Sequence, residues 1–80
     1  MKDMSESDQR AVACGLLKEL RSAKGLTQTE VANQIGKPQS YVSKYEAGER
    51  QLDVIELIAV CRALGTTLVH FSRALTERVP

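Results

Sequence analysis

Apolar residues near the start of the chain recur at three- and four-residue steps, the spacing that places side chains on one face of an α-helix. The stripe consists of Val12, Leu16, Leu17, Leu20 and Ala23. A glycine follows it at position 25, where a helix of this length is expected to stop. The pattern predicts a first helix over residues 8–24, preceded by a flexible polar tail over residues 1–7.

Start and stop signals predict two short helices next. Thr27 and Glu30 have the spacing of a capping box, in which each side chain binds the other residue's backbone amide, so a second helix starts at Thr27. Gly36 ends that helix, because glycine readily adopts the left-handed conformation found at helix ends. Pro38 suits the first position of a third helix, which Gly48 closes.

The same signals predict two more helices. Asp53 and Glu56 repeat the capping box and start a fourth helix that ends at Gly65. Either Thr66 or Thr67 can cap a fifth helix. Strand-like alternation of polar and apolar residues is missing, so the sequence predicts an all-α fold, a compact five-helix bundle.

Length and composition predict one domain without a disulfide or metal site to stabilise it. The 80 residues, of which 42% are hydrophobic, leave room for a single aliphatic core. Cys14, Cys61 and His70 do not have metal-ligand spacing, so no disulfide framework, metal site or cofactor is expected. The two cysteines are interpreted as buried free thiols in a reducing cytoplasm.

Several function classes are disfavoured. The polar N-terminus is unlike a signal peptide and no segment has the length of a membrane span, so a cytoplasmic protein is expected. One histidine without a nucleophile motif gives no basis for an enzyme. The net charge of +1 gives little support for DNA binding. The placement of charge is more favourable, because cations outnumber acids between residues 21 and 50: Arg21, Lys24, Lys37, Lys44 and Arg50 against Glu30, Glu46 and Glu49.

The second and third predicted helices form one unit over residues 28–47. Two short helices joined by a glycine-containing turn are the helix-turn-helix, whose second helix enters the DNA major groove. The segments that carry a family resemblance are GLTQTEVA from Gly25, then IG at Ile35, SYVSKYEAGER from Ser40 and LG at Leu64. Together they resemble the lambda repressor and Cro (XRE-like) family across residues 12–76. The resemblance implies a DNA-binding transcriptional regulator, with residues 8–80 as its DNA-binding domain.

The third helix carries the candidate base-reading residues. They lie opposite its apolar positions, and they are Gln39, Ser40, Ser43 and Lys44. Gln39 is the best candidate, since a glutamine amide can bond adenine through N6 and N7. Lys44 can accept a guanine edge or a phosphate as its partner. Because this set is small, part of the specificity is expected to come from DNA shape.

Four residues are candidates for contacts with the DNA backbone. The resemblance implies that Gln28 bonds a phosphate and braces the recognition helix. Tyr41 either meets the sugar-phosphate backbone or covers apolar surface. Lys37 and Arg50 are candidate phosphate contacts, with a solvated surface charge as the alternative for each.

Family members often pair an arginine on the first helix with a glutamate at the end of the recognition helix, and Arg21 and Glu46 stand at the matching places. We interpret this pair as structural. Removal of Glu46 is therefore expected to lower stability more than it alters base preference.

The fifth helix is the predicted homodimer contact, through Val69, Phe71, Leu75 and Val79. A dimer would place two recognition helices about 34 Å apart and require a near-palindromic operator. A protein-interaction domain of the same fold is the alternative of a different class. Within the DNA-binding class, a phage regulator, a restriction–modification controller and an antitoxin with a toxin partner remain open.

Overall fold

The computed structural model describes residues 3–80. It places five α-helices in them: α1 Glu6–Ala23, α2 Gln28–Gln34, α3 Gln39–Glu46, α4 Val54–Ala63 and α5 Leu68–Thr76. Turns and short irregular segments connect the helices, and there is no strand among these residues. The predicted all-α, five-helix fold is confirmed.

The start of α1 lies two residues earlier than predicted. Ser5 caps the helix by accepting a 3.0 Å hydrogen bond from the Asp8 backbone amide, and the Asp8 carboxylate accepts one from the Ser5 amide in return. Glu6 and Ser7 are helical, so the expectation of a flexible tail through residue 7 is wrong for these two positions. The same expectation at residues 1–2 lies outside the described residues.

The turn between α2 and α3 differs from prediction by one residue. Pro38 has φ −70° and ψ 156°, an extended conformation, so it is the N-cap of α3 and not its first helical residue. Its carbonyl already accepts a 3.0 Å hydrogen bond from the Tyr41 amide. Proline suits this place because its fixed φ is compatible with the extended backbone that enters the helix.

All five helices contribute to one core. It consists of Leu16, Leu17, Val31, Ala32, Tyr41, Val42, Tyr45, Val60, Cys61, Leu64 and Phe71. No buried side-chain nitrogen or oxygen within residues 3–80 lacks a hydrogen-bond partner. The buried residues among these positions are all of hydrophobic types, and they pack the two helices of the helix-turn-helix against the rest of the domain.

The role predicted for α5 needs correction. Phe71 is 2% exposed and Leu75 is half-buried against the core, so these two side chains cover the inside of their own subunit. They share one helix face because they are four residues apart. Val69 lies on a different face and is 70% exposed. Of the predicted contact residues, Val69 and the half-buried Val79 remain accessible.

The two cysteines are in different environments. Cys61 is buried, whereas Cys14 is only half-buried, so the prediction of two buried thiols is wrong for Cys14. Desolvation raises the pKa of both thiols above the ordinary value. Within residues 3–80 no group of side chains has the composition of a metal site.

The hydropathy of the helices bears on membrane insertion. Over the described part of the chain, no single helix is both long enough and apolar enough to cross a membrane. Taken together, α4 and α5 have the length and composition of a membrane span, but the two helices are bent by 102° relative to each other.

Candidate nucleic-acid interface

The α2–turn–α3 unit has the geometry of a helix-turn-helix. A four-residue turn, 35–38, separates the two helices. Gly36 adopts φ +68° in this turn, and the Lys37 amide donates a 2.9 Å hydrogen bond to the Ala32 carbonyl. The turn thus closes α2 and redirects the chain into α3.

One side of α3 faces outward. Gln39, Ser40 and Lys44 are exposed there, and Ser43 is half-buried. Val42 and Tyr45 face the core, at 0% and 1% exposure. The four predicted base-reading residues therefore share the outward side, with Ser43 the least accessible of them.

Gln28 connects α2 with both ends of α3. Its Nε2 donates a 2.9 Å hydrogen bond to Oε1 of Glu46, at the end of α3. Its Oε1 accepts a 2.6 Å hydrogen bond from Nε2 of Gln39, at the start of α3. Since Gln28 is half-buried, these bonds fix its amide at the edge of the outward surface.

Arg21 and Glu46 form a two-pronged ion pair between α1 and α3. Nε lies 2.6 Å from Oε2 and Nη2 lies 3.0 Å from Oε1, while Nη1 donates to the Leu26 carbonyl at 2.8 Å. The two side chains are 13% and 4% exposed. Hydrogen bonding to Glu46 raises the pKa of the Arg21 guanidinium further above its already high ordinary value. The pair ties the end of the recognition helix to the body of the domain.

Two cations lie close to the Tyr41 ring. Its ring packs edge-on against Tyr45 with centroids 5.9 Å apart. The Arg50 guanidinium carbon is 4.6 Å and Lys37 Nζ is 5.5 Å from the Tyr41 ring centroid. Tyr41 is only 9% exposed, and this desolvation raises the pKa of its phenol. The ring therefore covers apolar surface, and it holds two candidate phosphate-binding cations beside α3.

Glu56 contacts both Arg50 and Tyr41, although the sequence pattern assigned it only to a capping box. Its Oε2 accepts a 2.5 Å hydrogen bond from Arg50 Nη2 and a 3.1 Å bond from the Tyr41 hydroxyl. Its Oε1 accepts from the Asp53 amide at 2.9 Å. The Asp53 amide and then Arg50 hold the pKa of the Glu56 carboxyl below its ordinary value. One signal for this contact was present in the sequence, the opposite charges of Arg50 and Glu56 on either side of the loop between α3 and α4.

Comparison with known protein families identifies this architecture. The helix-turn-helix family pattern matches residues 17–71, which include the whole α2–turn–α3 unit, α4 and parts of α1 and α5. The chain belongs to the XRE-type helix-turn-helix family. Members of this family are DNA-binding transcription regulators.

Individual relatives agree with this assignment. An uncharacterized HTH-type transcriptional regulator, y4dJ of Sinorhizobium fredii (strain NBRC 101917 / NGR234), is 40% identical over 63 residues, 79% of this chain and 82% of that protein. The solved XRE-family like protein from Pseudomonas syringae pv. tomato str. DC3000 is 44% identical, with a TM-score of 0.83 over 90% of this chain and 88% of that one.

A second similar structure comes from a protein with a named role. The wild-type restriction–modification controller protein C.Esp1396I is 26% identical, with a TM-score of 0.78 over 92% of this chain and 94% of its own. The same controller has also been solved as a nucleoprotein complex.

Proposed function

We propose that this chain is a sequence-specific regulator that binds double-stranded DNA as a homodimer, with α3 of each subunit in the major groove of a near-palindromic operator, in the cytoplasm. The observation that carries the proposal is the outward face of α3. Its polar side chains are exposed, while its opposite face is buried and its end is held by the Arg21–Glu46 ion pair. A rigidly seated helix with a polar outer face suits base recognition.

Base recognition is assigned to the outward residues of α3. Gln39 stands at the first helical position, and in this motif the N-terminal residues of the recognition helix reach the base edges. Ser40 and Ser43 offer short hydroxyls that can bond several bases, and Lys44 offers a cation for guanine or phosphate. Gln39 is proposed to read an adenine.

Backbone contacts are assigned to the residues around α3. Gln28, Lys37 and Arg50 provide N–H donors, and Tyr41 acts mainly by holding the two cations in place. Arg50 shares its charge with Glu56, but its side chain remains 41% exposed and only part of its five-donor guanidinium is used there. These contacts would position α3 without specifying sequence.

The homodimer is proposed to form through the exposed part of α5. Val69 is an exposed apolar residue there, at 70% exposure, and Val79 follows near the end of the chain. A two-fold contact would bring each patch against its own copy. The nucleoprotein complex of the similar controller protein supports DNA as the partner of this fold.

Selection from a random duplex pool tests the function. The wild-type protein, Gln39→Ala and Ser43→Ala are each incubated with the pool at moderate salt, and the retained duplexes are sequenced. Ser22→Ala on α1, an exposed serine outside α2, α3 and α5, is the matched control. We expect a near-palindromic site for the wild type and the control, and relaxed preference at particular base pairs for the two α3 variants.

A pool that stays random although the protein is folded would overturn the sequence-specific function. The protein-interaction alternative would then be tested through the salt dependence of duplex binding. Affinity should fall linearly with the logarithm of salt concentration if phosphates are engaged. Absence of duplex binding at low salt would redirect the search to a protein partner.

A further inference from the structure

We propose that Glu46 determines which bases Gln39 accepts, because it fixes the direction of the Gln39 amide through Gln28. This makes Glu46 a positioning residue for specificity, in addition to its part in the ion pair with Arg21. The inference rests on the proposed function, in which Gln39 faces a base edge.

The direction originates at the Glu46 carboxylate, which only accepts hydrogen bonds. Its Oε2 accepts from Arg21 Nε at 2.6 Å, and its Oε1 accepts from Arg21 Nη2 at 3.0 Å and from Gln28 Nε2 at 2.9 Å. Since no oxygen of the carboxylate can donate, Gln28 must turn its NH₂ end toward Glu46.

Gln28 passes this direction to Gln39. With the NH₂ end at Glu46, the oxygen of Gln28 faces α3 and accepts from Gln39 Nε2 at 2.6 Å. One N–H of Gln39 is therefore used inside the protein. Its Oε1 and its second N–H are left for a ligand.

This arrangement matches adenine, which presents a donor at N6 and an acceptor at N7 in the major groove. A reversed Gln39 amide would bind Gln28 through its oxygen and direct both N–H groups outward. Two donors match guanine, which presents acceptors at O6 and N7. The direction of one amide thus separates adenine from guanine.

The hydrogen bonds that run from Glu46 through Gln28 to Gln39 start at a site shielded from water and end at an exposed side chain. The Glu46 and Arg21 side chains are 4% and 13% exposed, and Arg21 is also bound to the Leu26 carbonyl at 2.8 Å. Gln39 is exposed. Poor access of water at the ion pair keeps the carboxylate and the Gln28 amide from reorienting independently.

Two variants release and restore the direction. In Glu46→Gln, one amide oxygen replaces two carboxylate oxygens that accept from Arg21 Nε, Arg21 Nη2 and Gln28 Nε2, so these donors compete for it. Gln28 loses an acceptor that only accepts, and Gln28 and then Gln39 are free to turn over. The double variant Glu46→Gln with Gln28→Glu keeps the net charge, and its carboxylate at position 28 again accepts from Gln39, so the original direction returns.

Two further variants control for stability. Gln28→Met removes both amide bonds without touching the ion pair, so it is expected to fold and to leave the Gln39 amide free to turn either way. Glu19→Gln changes the exposed Arg78–Glu19 ion pair, which has no connection with α3, and should leave base preference unchanged.

The experiment uses the duplex that the wild-type protein selects and its three single-base-pair variants at the position that Gln39→Ala relaxes. Dissociation constants are measured by fluorescence anisotropy, and folding is checked by circular dichroism. For the wild type we expect adenine to be preferred by about 5- to 140-fold, the usual discrimination of a two-bond amide contact. Glu46→Gln and Gln28→Met should weaken this preference, and the double variant should recover it.

The outcomes separate the inference from the function. If the wild type selects no site, the proposed function fails. If the wild type selects a site but Glu46→Gln and Gln28→Met retain the adenine preference, or if Gln39→Ala relaxes no base pair, the inference is wrong. If Glu46→Gln does not fold, Gln28→Met against the wild type decides the question.

Discussion

The ion pairs of the described residues differ in burial, and burial decides how much each contributes. Arg21 and Glu46 are 13% and 4% exposed, whereas Arg78 and Glu19 are 42% and 60% exposed. An exposed pair loses most of its attraction to solvent screening. Loss of one partner of a shielded pair leaves an uncompensated charge in a poorly hydrated site.

We expect Glu46→Ala to lower the free energy of unfolding by about 3 kcal/mol, because Arg21 would remain without its partner. Glu19→Ala, the control at the exposed pair, should cost less than about 1 kcal/mol. Urea unfolding followed by circular dichroism measures both values. Equal losses for the two variants would show that the Arg21–Glu46 pair has no special structural role.

Glu56, whose carboxylate accepts a hydrogen bond from the N-cap amide of α4, makes stability depend on pH. Its pKa is lower in the folded protein than its ordinary value of 4.5, so the unfolded chain binds more protons in the interval between the two values. Stability contributed by Glu56 is therefore present above pH 4.5 and is lost as the pH falls through the folded-state pKa.

Urea unfolding from about pH 6 down to about pH 3 tests this dependence. We expect the free energy of unfolding of the wild type to fall with acidification in that range. Glu56→Gln, which cannot ionise, should show a shallower fall. Part of the dependence should remain in that variant, because the pKa values of Glu19 and Glu30 are lowered as well. Identical slopes for the variant and the wild type would contradict the role of Glu56.

At the scale of helices, the ends are set by local chemistry and the packing by the core. Ser5, Thr27, Asp53 and Thr67 each accept a hydrogen bond from the third residue of the helix that follows. Only α3 begins without a side-chain cap, at Pro38. The recognition helix therefore depends more than the others on tertiary contacts.

Two glycines should respond to alanine in opposite directions. Gly15 lies inside α1 with nothing within 4 Å of the added Cβ, so Gly15→Ala should raise the free energy of unfolding by about 0.5–1 kcal/mol. Gly36 also has open space, but its φ of +68° is unfavourable for a residue with a Cβ. Gly36→Ala should therefore cost about 1 kcal/mol. Urea unfolding measures both variants, and a gain at position 36 would contradict the assigned turn geometry.

At the scale of the whole molecule, the exposed apolar residues bear on assembly. Val54, Ile55 and Val69 are more than half exposed. Ile55 and Val69 occupy the same second position of their helices, α4 and α5. They provide a matched comparison for the proposed dimer, because an aspartate suits the first turn of either helix.

We expect Val69→Asp to weaken self-association at least about tenfold, since it would bury a like-charge pair at the two-fold contact. Ile55→Asp should leave self-association unchanged. Sedimentation equilibrium measures both variants, and the capping of both helices predicts unchanged folding. A wild-type protein that is monomeric at high micromolar concentration, or an effect of Ile55→Asp alone, would contradict a dimer through α5.

Helix positions and the outward polar face of α3 could be predicted from the sequence because both depend on short spacings. Two capping boxes, each made of residues three positions apart, located the starts of α2 and α4. The three-residue spacing of Val42 and Tyr45 separated the inner from the outer side of α3. Ser5 was not predicted as the N-cap of α1, because the residues on both sides of it are polar and give no periodic signal for the start of the helix. The misassignment of Phe71 had another cause, since apolar spacing shows a face but not what covers it.

The sequence by itself determined the five helices, the helix-turn-helix and its family, because these follow from local capping, periodicity and spaced motifs. Only the tertiary structure decided which groups meet across the fold. It joined Gln28 on α2 and Gln39 on α3 to the Arg21–Glu46 pair that the family resemblance had already indicated. It also brought Arg50 into contact with both Tyr41 and Glu56. Such contacts depend on how the helices pack, which no local spacing specifies.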